Sequence, residues 1–541
     1  MKDIEFNLID EPWIKAAKQD STVEELSIKD VLIGAHEYKS LAGEMAAQDI
    51  AILRFLCALV HTVISKTDIN GNNAPVEDED ESIERWKSVW DLGHFPEKAM
   101  RDYLEKWKDR FWLFHPDRPF YQVPKAKDGT ENTVAKLNGA VSESNNKARL
   151  FSSVSGKGKE EMSYSEGARW LLFLNGFDDC AAKQKDKSDG SRGSTVAWLG
   201  KLGLIYSIGN NLFETIMLNM PMITGEDGDL WENDVPTWEP DEARSRERDT
   251  IAMPDNLAAL YTLQSRRILL KREGDSVVGY SLLGGDAFDE INALNEPMTL
   301  WRFEEDKDTK RISYRPKLHD RDRYIWRDFA SLTAYELNGR RPGIVGWCDY
   351  LRKKRIVPKK RILVFGVVCV RYDSSQSSSI TDCFFDNVLF HQNLLSDSGK
   401  DWREEIENQI NKIENEAKHI GVLVSNLIKA EGLDSKKYKS KVETAKEEFF
   451  SEIDLIFREW LMKLDADHDI EERNKLAIEL ESSVRDCALR VGRELVDQTS
   501  ESGFIGRTIE KKHYSSPEAY RWFKYNTLEL YPKLEGDEAD E

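Results

Sequence analysis

Residues 406–427, IENQINKIENEAKHIGVLVSNL, decide the C-terminal part of the fold. Ile406, Ile410, Ile413, Ala417, Ile420, Val424 and Leu427 recur at alternating steps of four and three, which places them along one face of a helix. A second stripe follows in Tyr438, Val442, Ala445, Phe449, Ile453, Ile456, Trp460 and Leu464. A third runs through Leu476, Leu480, Val484, Cys487, Val491 and Leu495. Ser516-Pro517-Glu518 predicts the start of a fourth helix: Ser caps, Pro suits the first turn, and Glu faces the positive end of the dipole. Matching stripes on connections of short to moderate length predict an antiparallel four-helix bundle over 393–541.

Upstream the pattern is different. LAGEMAAQDIAILRFLCALVHTVIS, residues 41–65, predicts an apolar helix deep in a core, and the apolar run from Ile362 to Val370 reads as a buried strand. Three polar, small-residue stretches interrupt this part: 152–166, 181–195 and 373–381. Long loops on a compact domain are functional or disordered. The expected fold class is α+β, a large mixed α/β domain over 1–392 with long functional loops, followed by the all-α bundle.

The chain has 541 residues, a length that suits two to four domains at roughly 100 to 200 residues each. With 77 Lys and Arg against 98 Asp and Glu, the formal net charge is −21. That total excludes a protein that coats DNA or anionic membrane uniformly and leaves room for a locally basic binder. Six cysteines without a C-x-x-C pair remove the zinc-ribbon and disulfide-scaffold readings. The start, MKDIEFNLIDEPW, lacks the apolar run of a signal peptide, and the 362–370 run is too short to span a bilayer. A cytoplasmic protein without a membrane partner is expected.

Signals for catalysis are weak. G-x-x-x-x-G-K-[ST], G-x-G-x-x-G and G-x-S-x-G are all absent. His319-Asp320 imitates a metal dyad, but with nine scattered histidines and no H-x-x-x-H pair a structural role is favoured. Asp465 to Asp469 imitates a calcium loop and fails at Ile470 and Leu476, where Gly and Glu are required. No metal or cofactor is expected. What remains is charge: 352–361, RKKRIVPKKR, holds seven Lys or Arg and no acid, with Arg340-Arg341 just upstream. It is either a phosphate-binding element or a solvated basic loop. Lys183, Lys185, Lys187 and Arg192, beside Gly190 and Gly193, form a second candidate clamp. Glu77 to Glu81 reads as a solvated acidic loop or helix start, and Glu535 to Glu541 as an acidic tail.

Phe6-Asn7-Leu8-Ile9-Asp10-Glu11-Pro12-Trp13-Ile14 and His115-Pro116-Asp117-Arg118-Pro119-Phe120-Tyr121-Gln122 resemble the CasA family, the large subunit of the type I-E CRISPR surveillance complex Cascade. The similarity continues through Lys136-Leu137, Asn145-Asn146, Leu150-Phe151, Arg192 to Thr195 and Ile362 to Gln376, in order over nearly the whole chain. The resemblance implies a non-catalytic subunit of a crRNA-guided complex. Its partners would be the other Cascade subunits, crRNA, target double-stranded DNA and a helicase-nuclease. Such a subunit reads the protospacer-adjacent motif from the minor groove and helps open the duplex, while base pairing reads the rest.

Carried over residue by residue, the family's glutamine wedge falls on Ser375-Gln376-Ser377. Gln there offers donor and acceptor, and its stem displaces a base pair. The family's glycine-rich loop falls on Lys183 to Gly190, where Lys and Asp stand in place of glycines, so phosphate contact by Lys183, Lys185, Lys187 and Arg192 is expected. Asn145, Asn146, Phe151, Lys157 and Lys159 match the loop that contacts the crRNA handle and motif-proximal DNA, with Phe151 stacking there or packing in a core. The lysine finger's place, Leu283 to Phe288, holds Gly284-Gly285-Asp286-Ala287; the finger is missing or Lys271 or Arg272 substitutes. Lys353, Lys354 and Arg355 are candidate DNA-backbone contacts. In the bundle Lys436, Lys437, Lys439, Lys441, Arg485, Arg490 and Arg493 either contact DNA backbone or form solvated faces. Two other classes stay open: a metal-dependent nuclease using His319 and Asp320, and a purely structural scaffold.

Overall fold

A computed structural model describes residues 3–138, 156–180, 195–224, 229–232, 235–241, 248, 251–334, 339–358, 361–372, 380–433 and 438–532. The chain divides into two compact units, one of 1–321, 338–356 and 364–387, the other of 322–337, 357–363 and 388–541. The chain passes between the two units five times, against the single boundary expected at 392/393. Segment 322–337 joins the helical unit through side chains that complete its core. Trp326 stacks on Phe457 at 4.2 Å, and Arg327 lies 3.6 Å over the ring of Phe450. Phe457 is buried where the stripe predicted Ile456, which is half-buried; the indole of Trp326 covers that turn.

The first unit is built round the helix Ala46–Ile64, buried at every residue except Ala46 and Asp49. It begins five residues later than the apolar run suggested, because Tyr38–Leu41 pairs as a strand with Ile14–Lys18. First-turn side chains turn back to cap the entry: Asp49 accepts from Gly43 N at 2.8 Å and Gln48 from Glu44 N at 3.1 Å. The helices Tyr164–Phe177 and Leu257–Tyr261 pack against it, and the unit also holds small antiparallel sheets. One orders Ile380–His391, Ile362–Tyr372 and Leu204–Ile208; another orders Arg266–Glu273, Ser276–Gly284 and Thr130–Thr133.

One charge sits on the core helix itself. Arg54 is fully buried, makes a bidentate pair with Glu296 at 2.7 and 3.0 Å, and stacks 4.1 Å over Tyr261. Glu296 also accepts from Trp198 Nε1 at 2.9 Å and Met298 N at 3.1 Å, so its lone pairs are well used. Such a pair is tolerated only with this degree of satisfaction.

The second unit contains the expected bundle: Lys400–Glu431, Tyr438–Lys463, Ile470–Asp497 and Ser516–Leu530. Trp460 Nε1 donates to Leu476 O at 2.9 Å and Arg490 meets Glu452 at 2.9 Å, which makes the second and third helices antiparallel. Asp401 with Arg473 (3.3 Å) and Gln409 with Glu481 (2.7 Å) run the first and third in the same direction. The fourth is capped not by Ser516, its first residue, but by Ser515, whose hydroxyl accepts from Glu518 N, with Pro517 in the first turn.

Neutralising one partner of the buried core pair leaves the other charge uncompensated. Glu296→Gln is expected to cost about 3–5 kcal/mol in urea unfolding, with much of the loss recovered in Arg54→Met/Glu296→Leu. A second expectation concerns pH. Burial pushes the Asp49 carboxyl from its ordinary 3.8 up to about 7, with Glu44 adding to the rise and the Gly43 N–H opposing it. A folded-state pKa above the unfolded value gives stability that is full below the unfolded value and is lost as pH rises through about 7. Asp49→Asn keeps an acceptor for Gly43; thermal melts should place it above the parent near about pH 8 and level with it toward about pH 4.

Candidate nucleic-acid interface

The helix Tyr164–Phe177 is buried over its last three turns and ends in two acids, Asp178 and Asp179, which are 3% and 5% exposed. Carboxylates are almost never buried unpaired, so each of these must find a cation. Asp178 takes the guanidinium of Arg266, itself 4% exposed. The rest of that fork donates to Asp179 O at 2.8 Å, Thr195 O at 2.6 Å and Ser265 O at 2.8 Å. Ala197 N adds a bond to Asp178 O at 3.0 Å. One planar side chain thus ties together both ends of segment 181–194, a task for five fixed donors that lysine's single ammonium does not perform.

Asp179 carries the second link. Its carboxylate lies 3.5 Å from Nζ of Lys136 on the short helix Val134–Leu137, immediately before segment 139–155. That segment is closed at its base by Asn138 Nδ2 donating to Gly158 O at 3.0 Å. The helix's last carbonyl makes the third link: Tyr372 Oη donates to Phe177 O at 2.7 Å. Tyr372 ends the strand Ile362–Tyr372, just before segment 373–379, and packs on Gly200, where a Cβ would have no room. Burial, with Asp178 nearby, pushes its phenol well above the ordinary 10.0, so it remains a donor. On the far side Thr381 Oγ1 donates to Arg371 O at 3.2 Å. The end of one buried helix therefore joins the roots of all three segments assigned from sequence to nucleic acid.

Several of the assigned residues lie outside the described residues: Ser375, Gln376 and Ser377; Lys183, Lys185, Lys187, Gly190 and Arg192; Asn145, Asn146 and Phe151; Lys436 and Lys437. Lys157 and Lys159 are exposed in the turn Gly156–Lys159, with Lys157 3.8 Å from Glu161.

Other assignments change. Arg485 is 5% exposed and donates to Ser482 Oγ at 3.0 Å and Pro532 O at 3.4 Å, so it ties bundle helices rather than meeting DNA. Arg490 bridges Glu452 and Glu494, and Arg493 donates to Tyr520 Oη at 3.2 Å. These are contacts inside the bundle, while Lys439 and Lys441 are exposed at the start of its second helix. The basic run 352–361 is neutralised at its beginning. Buried Asp349 gathers Arg341, Arg352 and Lys353 at 3.0, 2.7 and 3.2 Å. Lys354 lies 3.4 Å from Glu79, which also accepts from Tyr350 Oη. The acidic run is a helix start, with Asp78 capping Glu79–Leu92, so the two charge runs partly pair with each other. Lys353, Lys354 and Arg355 are all exposed, and Arg355 has a positive φ of 59°.

Leu283 to Phe288 contains no lysine. Asp286 there is a buried acceptor for Arg248 and Arg267, Lys271 pairs with Glu131, and Arg272 pairs with Glu5. His319 is buried with Nε2 2.9 Å from Leu204 O, a structural position. Among the described residues no group of three His, Cys, Asp or Glu could hold a metal ion. Arg266, Asp178, Asp179, Lys136 and Tyr372 were missed from sequence as determinants of the site. The available signal was a pair of acids directly after an apolar helix.

Arg266→Lys keeps the charge and loses the fork. The melting temperature should fall, and amide exchange at Ala197, whose N–H bonds Asp178 O, should accelerate; unchanged exchange would show that Thr195 and Asp178 are held otherwise.

A family model described as CRISPR-associated protein Cse1 matches residues 7–491. CasA/Cse1 of Thermus thermophilus is 30% identical over 333 residues, 60% of this chain; the match spans only 60% of that relative's length. The crystal structure of Thermobifida fusca Cse1 superposes with a TM-score of 0.82 at 27% identity, covering 97% of this chain and 98% of that one. A chain of a CRISPR RNA-guided surveillance complex shares the fold, with a TM-score of 0.66 at 19% identity, covering 97% and 99%.

Proposed function

Because the chain belongs to the CRISPR-associated Cse1 family, we propose that it is a non-catalytic subunit of a crRNA-guided DNA surveillance complex of the Cascade type. In this role it reads the protospacer-adjacent motif in duplex DNA, helps open the duplex for R-loop formation and helps recruit a helicase-nuclease. Other Cascade subunits and crRNA are its partners, and the cytoplasm is its place of action.

One observation carries the proposal. Segments 139–155, 181–194 and 373–379, assigned on independent stretches of sequence to crRNA and DNA, leave from one buried junction. Lys136–Asp179, the Arg266 fork and Tyr372–Phe177 make that junction. A reader that must place a Gln side chain between bases and cations on the adjoining phosphates needs fixed roots for both, since phosphate contacts set register while base contacts specify. The net charge of −21 fits the same division: free DNA is repelled in general, and a few segments engage it once partner subunits hold the chain in place.

Gln376→Ala in the assembled complex tests this on targets with an intact or an altered flanking motif. Binding should weaken on the order of 10-fold or more, and permanganate reactivity of thymines beside the motif should fall, as the wedge's unstacking is worth a few kcal/mol. Opening equal to the parent on intact targets sinks the wedge assignment. Metal-dependent cleavage by the isolated chain, abolished in Asp320→Ala, would instead support the nuclease.

A further inference from the structure

Beside the junction, within the same unit, opens a cleft of ≈ 750 Å³. Five cations, Lys201, Arg302, Arg315, Arg321 and Arg371, and two carboxylates, Glu290 and Asp320, are on its walls. Its most informative feature is an unfavourable one. In the antiparallel hairpin Trp301–Glu305 with Ile312–Pro316, Arg302 stands directly opposite Arg315. Like charges directly opposed on neighbouring strands destabilise the pairing.

The local acids do not cancel this. Arg302 and Arg315 share Glu304 at 3.6 and 3.3 Å, while Arg315 and Lys201 share Glu290 at 3.4 and 3.2 Å. Three cations thus rest on two carboxylates. Arg321 is matched by Asp382 at 2.7 Å, and Arg371 is exposed on the strand that leads into segment 373–379. In a chain with 98 acids and 77 bases, a cleft with the opposite balance holds its charge against the general composition. A phosphodiester between the two guanidiniums would turn their repulsion into two charge-assisted bonds, and the planar fork of each suits a phosphate oxygen pair. Leu318, 51% exposed, and Phe384 give the cleft an apolar side on which a deoxyribose can lie.

We propose that this cleft is a DNA-backbone site in which Arg302 and Arg315 clamp a phosphate irrespective of base sequence. The site rests on the nucleic-acid role given above but not on motif reading. It adds a phosphate contact made by a rigid hairpin to those made by the segments.

The test uses the chain in the assembled complex with the other Cascade subunits and crRNA, and fluorescein-labelled DNA that lacks both the flanking motif and complementarity to the crRNA, as a single strand and as a duplex, in fluorescence anisotropy titrations from about 20 to about 200 mM salt. R302Q should weaken binding roughly 3- to 10-fold and R302Q/R315Q more, each neutralised cation lowering the log–log salt slope by about 0.7 to 0.9. The melting temperature of R302Q should equal or exceed the parent's, since an opposed like charge is removed. R371Q, at an exposed position, gives the same slope measurement should the hairpin variants unfold. Tighter binding of the single strand assigns the site to a displaced strand, tighter binding of the duplex to the flanking arm. No binding by the parent at low salt, or slopes unchanged in R302Q/R315Q and R371Q, overturns the proposal. Loss of motif discrimination in Gln376→Ala is read on motif-bearing targets and is separable from this result.

Discussion

Two neighbouring carboxylates buried at the end of one helix set the terms for the side of the protein proposed to meet DNA. Asp178 and Asp179 cannot stay charged in the interior alone, and each is met by a cation from a distant part of the chain. Arg266 comes from a strand and Lys136 from a short helix, and each brings the base of a long segment with it. The last carbonyl of the same helix captures Tyr372 and so fixes a third. A helix end that exposes unsatisfied carbonyls and tolerates cations nearby is a suitable place for such a junction.

The rest of the molecule keeps its charges apart or pairs them. Arg54 and Glu296 are matched inside the core, and Glu296 also holds Trp198, three residues beyond Thr195. The acidic helix start at Glu79 meets the basic helix end at Lys354. The first three cations of the basic run 352–361 are paired with acids. The cleft beside Arg302 and Arg315 shows the opposite economy, with fewer carboxylates than cations.

How far the sequence carried the fold depended on the range of the interaction. Periodicity reports contacts that repeat along one element, so the stripes from Ile406, Val442 and Leu476 became three bundle helices and the run to Ile64 became the core helix. It does not report which remote segment covers an element. Trp326, more than a hundred residues before Phe457, displaced Ile456 from the stripe, and Tyr38–Leu41 became a strand because Ile14–Lys18 was there to pair with it. The junction was illegible for the same reason: Arg266 and Asp178 are 88 residues apart. Runs of one sign misled, since Lys353 and Lys354 read as free cations only while Asp349 and Glu79 are out of sight. Arg485, one turn from Glu481 on a helix with an obvious polar side, is buried by the chain's return at Pro532.

Each segment assigned from sequence to nucleic acid is tied at its base by the scaffold: Asn138 to Gly158, Arg266 to Thr195 and the Asp179 carbonyl, Tyr372 to Phe177. The cost of closing a chain between fixed ends grows only with the logarithm of its length. Insertions and exchanges beyond these ties therefore bear little on the stability of the core. A segment of foreign length and composition grafted between the same anchors would keep the framework intact, which, if the proposed role of these segments holds, makes such grafts a route to altered target choice.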